Sequence, residues 1–207
     1  MSNALNRAIQ VVTEPDLERM TLELRQLPNA LRSFVPLRSG YLDNASMAQT
    51  GFPGNDSAAL DRSGRLTGYL REFGNGISQS DMEPGTDLAA ATVVHLFNTE
   101  QDVSNWISEV FLRQFEENVG NAVGEGLRLE DVERLPVSGF ADDAMGIRAL
   151  QHGPLGLISS TVVDFRIGRL LGVAFLVTVG KFHRLPIVEE MAQTLERHMV
   201  RIALDPR

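Results

Sequence analysis

The sequence predicts an α+β fold in which an antiparallel sheet of about six strands is sandwiched between helices. The first reason is the element order, which reads as two strands, a helix, four strands and a last helix, with short turns between successive strands. The second is the stretch 155–179, where two β-branched and aromatic runs flank Ile167-Gly168-Arg169, a pattern typical of a hairpin. The second run is apolar on both faces, which indicates a central strand that is covered on both sides.

The first 27 residues are predicted to form a helical N-terminal arm, with Glu14-Pro15-Asp16 opening a segment that Pro28 ends. Ser2-Asn3-Ala4 has the form of residues left by an expression vector, and it is excluded from fold reasoning. Residues 28–207 are predicted to form a single α+β domain. Within that domain, 29–64 has little periodicity and many turn-forming residues, so we expect a long loop there, with a short helix from Asn44 to Thr50, capped by Asn44, as an option.

Clearer periodicity begins at residue 65. Strands are predicted over 65–73, 87–97, 127–135 and 144–151, before the hairpin. An amphipathic helix is predicted from Thr99 to Asn118, with Thr99 as its cap and Asp102 at the capping-box position. Pro186 opens a last helix with one apolar face, made of Val188, Met191, Leu195, Met199 and Ile202.

Composition narrows the range of functions. The chain has 207 residues, of which 43% are hydrophobic and 22% charged, as in ordinary globular proteins. Its formal net charge of -8 argues against a nucleic-acid partner or an anionic membrane surface, because both need a basic field. The absence of cysteine excludes disulfides, thiolate metal sites and a cysteine nucleophile. No apolar run reaches the roughly 18 residues of a membrane span.

No catalytic or cofactor motif stands out. The four histidines lack the spacing of a metal site, and no nucleophile elbow or phosphate-binding glycine loop occurs, so we expect no cofactor and no metal. The best carboxylate pair is Asp142-Asp143, which could act as an acid/base pair or contribute to a cation site. We favour the simpler interpretation that Asp142 bonds within its turn and Asp143 is solvated.

Four residues are predicted to bind a ligand: Asp164, Arg166, Tyr69 and Arg71. Asp164 and Arg166 share a strand face opposite an apolar one, and a charge on a central strand must reach solvent or be paired. In the structural interpretation, Arg166 bonds a carboxylate or a helix C-terminus. In the functional one, the two residues line a polar floor under the 29–64 loop and recognise a polar or anionic ligand.

The element order and several short strings resemble the PsbP-like fold of photosystem extrinsic subunits and of small bacterial lipoproteins of the LpqN type. The strings are GRLTGY at 64–69, VHLF at 94–97, LPV at 135–137, GFADDA at 139–144 and VVDFRIG at 162–168. The resemblance implies a sheet sandwiched between helices and a mostly non-enzymatic role. It supplies no catalytic residues.

These observations favour a non-enzymatic extracytoplasmic binding or assembly module, the soluble part of a surface lipoprotein whose leader and membrane tether lie upstream. Its partner is an unknown small molecule or protein, bound in a groove or at an exposed sheet edge. The alternative is a small hydrolase that uses the carboxylate pair at the 139–143 turn, or His152 near it. A third hypothesis is a homodimer that buries an edge strand.

Overall fold

A computed structural model describes residues 3–50, 56–76, 82–123, 126–154 and 156–205. Its strands form one antiparallel sheet in the order β1-β2-β3-β7-β6-β5-β4, which confirms the α+β fold class. The strands are β1 (Val35–Leu42), β2 (Arg65–Gly74), β3 (Asp87–Phe97), β4 (Arg128–Leu135), β5 (Ala144–Gly153), β6 (Gly156–Ile167) and β7 (Leu170–Val179). The helices are α1 (Asn3–Gln10), α2 (Glu14–Met20), α3 (Asn44–Thr50), α4 (Ser57–Arg62), α5 (Glu100–Asn105), α6 (Leu112–Glu117) and α7 (Leu185–Leu204). A wider π-helical segment (Trp106–Phe111) joins α5 to α6, and two 3-10 turns (Leu24–Gln26 and Asn29–Leu31) precede β1.

The stretch 29–64, expected to be a long loop, instead contains a 3-10 turn, β1 and α4, together with α3, which has the bounds of the short helix considered there. This correction also raises the strand count from about six to seven. β1 escapes sequence reasoning because it lies at the sheet edge, where Pro36 is tolerated and no apolar face has to be buried. Most of its residues are exposed, so the alternation that reveals a buried strand is missing.

The predicted hairpin is present as β6 and β7, which pair from Ile158↔Val179 to Ile167↔Leu170. Gly168 takes the positive φ of 56° that the tight turn requires. The next residue, Arg169, donates hydrogen bonds to the backbone carbonyls of Ile9, Gln10, Val12 and Phe97. The tip of the hairpin therefore holds the N-terminal segment against the sheet.

One face of the sheet packs against α1, α2 and α7. Phe73, Val94, Phe165 and Ala174 lie on this face, at most 1% exposed. The N-terminal arm is part of the same core, contributing Ile9, Val12, Leu17, Met20 and Leu22. The predicted apolar face of the last helix is also there, with Val188, Met191, Leu195 and Met199 fully buried.

The other face is covered by α5, the π-helical segment and α6. Thr99 caps α5 as predicted: its hydroxyl accepts from the Asp102 N–H at 3.2 Å, and the Asp102 carboxylate accepts from the Thr99 N–H at 3.0 Å. Trp106 packs edge-to-face on Phe97 with ring centroids 5.8 Å apart. Helices therefore cover the β6–β7 hairpin on both faces of the sheet. None of the described helices has the length and apolar character to cross a bilayer.

Candidate functional site: a groove at the β1 edge

The four predicted ligand-binding residues lie on opposite faces of the sheet. Tyr69 and Arg71 pair with Val94 and Thr92 of β3, whose register continues through β7 to Phe165 and Val163 of β6. Asp164 and Arg166 pair instead with Val173 and Leu171 of β7. Because directly paired residues share a face, Asp164 and Arg166 point away from the face that carries Tyr69 and Arg71. The four residues therefore form two separate clusters.

Arg166 is held by three carboxylates. Its guanidinium lies 3.0 Å from Asp143, 3.7 Å from Asp142 and 3.6 Å from Glu100, and its side chain is only 15% exposed. These partners come from α5 and the 139–143 turn rather than from 29–64, so the expected polar floor under that stretch is not formed. The contacts match the structural interpretation in which Arg166 bonds carboxylates, and they join β6 to the start of α5.

Asp164 is 1% exposed, and its Oδ1 has no hydrogen-bond partner among the described residues. Burial raises the pKa of this carboxyl well above its usual range. The side chain is consequently held as the neutral acid, in a part of the sheet where Met145 and Val173 are its strand neighbours. It neither reaches solvent nor bonds Arg166.

The carboxylate pair of the 139–143 turn is engaged in the same cluster. Asp143 accepts from the Ser104 hydroxyl at 2.8 Å and from Arg166. The Ser104 bond, followed by the Arg166 bond and charge, outweighs partial burial and lowers the pKa of Asp143. His152 lies eight residues beyond Ala144 on β5, about 26 Å away at about 3.3 Å per strand residue, too far to act with either carboxylate. No three acidic or histidine side chains of the described residues come together as a metal site.

On the opposite face, Tyr69 is 5% exposed and its hydroxyl donates to Glu18 Oε1 at 3.1 Å. Its ring meets that of Tyr41 edge-to-face, with centroids 5.0 Å apart. This pair joins β1 to β2 and fixes the position of α2 over the sheet. The hydroxyl of Tyr69 is therefore directed at Glu18.

Arg71 lies in a groove of about 430 Å³, called here the edge groove, between the Leu24–Gln26 turn and the β1–β2 pair. The groove is lined by Glu23, Leu24, Pro36, Leu37, Arg38, Ser39, Arg71 and Phe73. About half of its lining is apolar, and the charged groups other than Arg71 are paired: Arg38 with Glu72, and Glu23 with Arg25 at 2.9 Å.

Arg71 forms no ion pair with any carboxylate of the described residues, although its side chain is half-buried. Its charge nevertheless acts on its surroundings. The pKa of His198 is lowered, first by partial burial and further by the charges of Arg201 and Arg71. His198 thus stays neutral, its Nε2 donating to the Arg19 carbonyl at 2.8 Å and its Nδ1 accepting from Gln26 at 3.1 Å. Within the described ranges, the edge groove thus holds a guanidinium without an ion-pair partner, in a protein of net negative charge.

The sequence identified Arg71 but not the groove around it. Leu24 and Ser39 were missed because they belong to a 3-10 turn and an edge strand, neither of which has a periodic signature. A signal was present in the string VPLRSGYL, which carries apolar residues and one charge at a length typical of a strand.

A second concavity, of about 390 Å³, lies between α1, α2 and the end of α7. Its charged lining groups are the carboxylates of Asp16 and Asp205, which both lie within 4 Å of Arg19. Asp16 also accepts the capping bonds of Thr13. Since these groups already have partners, this concavity offers no free charge to a ligand.

No family model matches the sequence, and no curated protein is significantly similar to it. Among solved structures, the fold is similar to the extracellular domain of PknH from Mycobacterium tuberculosis, with a TM-score of 0.57 and 11% sequence identity. The match covers 94% of this chain and 98% of that domain. At this identity the likeness concerns the fold alone.

Proposed function

We propose that the chain is a non-enzymatic extracytoplasmic binding or assembly module, the soluble part of a surface lipoprotein of the PsbP-like, LpqN-like kind. Two observations support the proposal. Its fold is similar to that of a bacterial extracellular domain along almost its whole length. Most of its charged side chains on the sheet also have the partners expected of structural groups; the exceptions discussed above are Arg71 in the edge groove and the buried Asp164.

The proposed ligand site is the edge groove, and the single observation that carries it is the guanidinium of Arg71, which pairs with no carboxylate of the described residues. A half-buried charge that lacks a counterion costs free energy, which an anionic ligand would recover. Leu24, Leu37 and Phe73 give the groove apolar walls. The ligand is therefore a carboxylate or similar anion attached to an apolar body.

The other three predicted residues have supporting roles in this proposal. Tyr69 holds α2 and Tyr41 in position next to the groove. Arg166 joins α5 to the 139–143 turn, and Asp164 is a neutral part of the packing beneath the helices of the opposite face. The hydrolase alternative has less support, because Arg166 engages both carboxylates of the turn.

Hexanoate is a suitable probe, since it combines one carboxylate with a short apolar chain. Titration followed by two-dimensional NMR should show that hexanoate shifts the signals of the edge groove and that hexylamine does not. Arg71→Ala should weaken hexanoate binding about tenfold, the effect of one charge-assisted hydrogen bond or slightly more. Arg32→Ala is the matched control, because Arg32 is exposed and lies outside the groove.

Three results would overturn the proposal: equal binding of hexanoate and hexylamine, unchanged hexanoate affinity in Arg71→Ala, or chemical shifts confined to other parts of the protein. Hydrolytic activity that disappears in Asp142→Asn would establish the enzyme alternative in its place.

A further inference from the structure

We propose that the ligand of the edge groove is an extended acidic segment of another protein, which adds to β1 as an eighth strand of the sheet. This inference rests on the proposed function and names the partner of the same site. It depends on the backbone of β1, the charge of Arg71 and the side chains at the sheet edge.

β1 is the terminal strand of the sheet, and no described strand pairs with its outer edge. Within the described part of the chain β1 pairs only with β2, and Val35, Leu37 and Tyr41 remain 46–56% exposed. In an edge strand, alternate residues direct their N–H and C=O groups away from the sheet. These groups can bond a further strand without any change in the fold.

The opposite edge of the sheet is protected in two ways. Five of the eight residues of β4 are charged: Arg128, Glu130, Asp131, Glu133 and Arg134. In addition, the segment 120–123 bonds to β4, with the Gly120 N–H donating to the Leu129 carbonyl at 2.7 Å and the Leu129 N–H donating to the Asn121 carbonyl at 3.0 Å. β1 has one charged residue, Arg38, and no such covering segment among the described residues. Pro36 and the bulge between Pro36 and Arg38 protect the first residues of β1, so the part of this edge that remains available to a partner runs from Arg38 to Leu42.

The positive charge of Arg71 requires an acidic residue on the added strand. Ser39 is the direct partner of Arg71 in the β1–β2 register, and it is small. A strand added outside β1 would lie about 10 Å from β2, two strand spacings of about 4.8 Å. An arginine and a glutamate that approach each other across a small residue can span this distance. The neighbouring Arg38 is already paired with Glu72, on the other face of the sheet.

A second copy of this chain does not meet the same requirement. β1 itself contains no carboxylate, so a copy paired through β1 would leave Arg71 without a counterion. Such pairing would also place the Arg38 side chains of both copies at the same interface. The charge of the edge groove therefore favours an acidic partner strand over a homodimer.

The test uses a synthetic eight-residue peptide of alternating valine and glutamate, with the corresponding valine–lysine peptide as the charge control. In a strand, the alternation places every glutamate on one face. Two further versions carry N-methyl groups, one on the odd-numbered amides and the other on the even-numbered amides. Strand addition predicts that one methylated version binds at least about tenfold more weakly, since its methyl groups face β1, while the other stays within about twofold of the parent. The valine–lysine peptide should not bind.

Equal effects of the two methylated versions, or equal binding of the lysine peptide, would overturn the inference. So would a light-scattering mass of twice one chain that the peptide fails to change. If the peptide does not bind but hexanoate still binds in an Arg71-dependent way, the strand inference fails and the proposed function stands. If neither binds, both fail.

Discussion

Replacing Gly172 with alanine should destabilise the protein, because the added methyl group would enter space that the Phe165 ring occupies. A Cβ at position 172 would lie 2.2 Å from Phe165 Cζ and 2.6 Å from both Cε atoms. Gly172 and Phe165 are direct partners in the β6–β7 ladder. Phe165 is fully buried and stacks on Phe140, with ring centroids 5.3 Å apart, so the ring has little room to move.

The size of the effect follows from two opposing contributions. Overpacking a dense core costs about 1–3 kcal/mol, whereas replacing a glycine inside a strand with alanine gains about 0.5–1 kcal/mol. The free energy of unfolding should therefore fall by about 1–2 kcal/mol, measured by urea denaturation at neutral pH. Gly40→Ala is the matched control, since no described atom lies within 4 Å of its Cβ position and its φ is not left-handed. It should not destabilise the protein, and it should raise the free energy of unfolding by up to about 1 kcal/mol, the gain expected for alanine in place of a strand glycine without a clash.

A double-mutant cycle tests the cause directly. Phe165→Leu removes the ring atoms that the methyl group would meet, so Gly172→Ala should cost at least about 0.5 kcal/mol less in that background. If Gly172→Ala costs the same in both backgrounds, or leaves stability unchanged in the wild type, the packing described for the hairpin is wrong.

Three further predictions concern the polar groups of the fold. Asp164→Asn should match the wild type in free energy of unfolding near pH 3. Above about pH 4 it should become progressively more stable than the wild type, by at most about 1.4 kcal/mol per pH unit. The reason is that the raised pKa keeps Asp164 protonated in the folded state, while the carboxyl ionises in the unfolded state. A difference between the urea midpoints of the variant and the wild type that stays constant from pH 3 to 8 would contradict this prediction. Asn44→Ala should cost about 2–3 kcal/mol in urea denaturation, because Asn44 bonds the buried guanidinium of Arg65 and also donates to Asp61 at 2.6 Å; Asn121→Ala, at an exposed site, is the control. Thr99→Ala should cost about 1 kcal/mol by removing the α5 cap, and a change below about 0.3 kcal/mol would show that the cap is not needed.

The parts of the fold that the sequence predicted are those in which local pattern and burial agree. The Gly168 turn, β3 and the Thr99 cap each have a signature that tertiary contacts reinforce. β1 lacks one because an edge strand can stay exposed. The predicted helix from Thr99 to Asn118 has the right position, but its π-helical middle at Trp106–Phe111 was not predicted. A π-helical turn inside an α-helix is rare, and apolar periodicity does not distinguish it from the surrounding helix.

The candidate site was less accessible to sequence reasoning, for a related reason. Strand alternation correctly placed Asp164 and Arg166 on one face, opposite Phe165, but it could not show that helices cover Asp164 and leave it unpaired. Nor could it show that Tyr69 and Arg71 lie on the opposite face of the sheet from Asp164 and Arg166. Their surroundings come from distant segments, such as Glu18, which is 51 residues from Tyr69 in the chain.

Amide hydrogen exchange measured by NMR tests the claim that β1 accepts a further strand at its outer edge. With the valine–glutamate peptide bound, alternate amides of β1 should exchange more slowly, while the amides between them, which face β2, should be unchanged. Pro36 has no amide hydrogen and reports nothing. Slowed exchange confined to other elements of a peptide-bound protein, with all β1 amides unaffected, would contradict the claim.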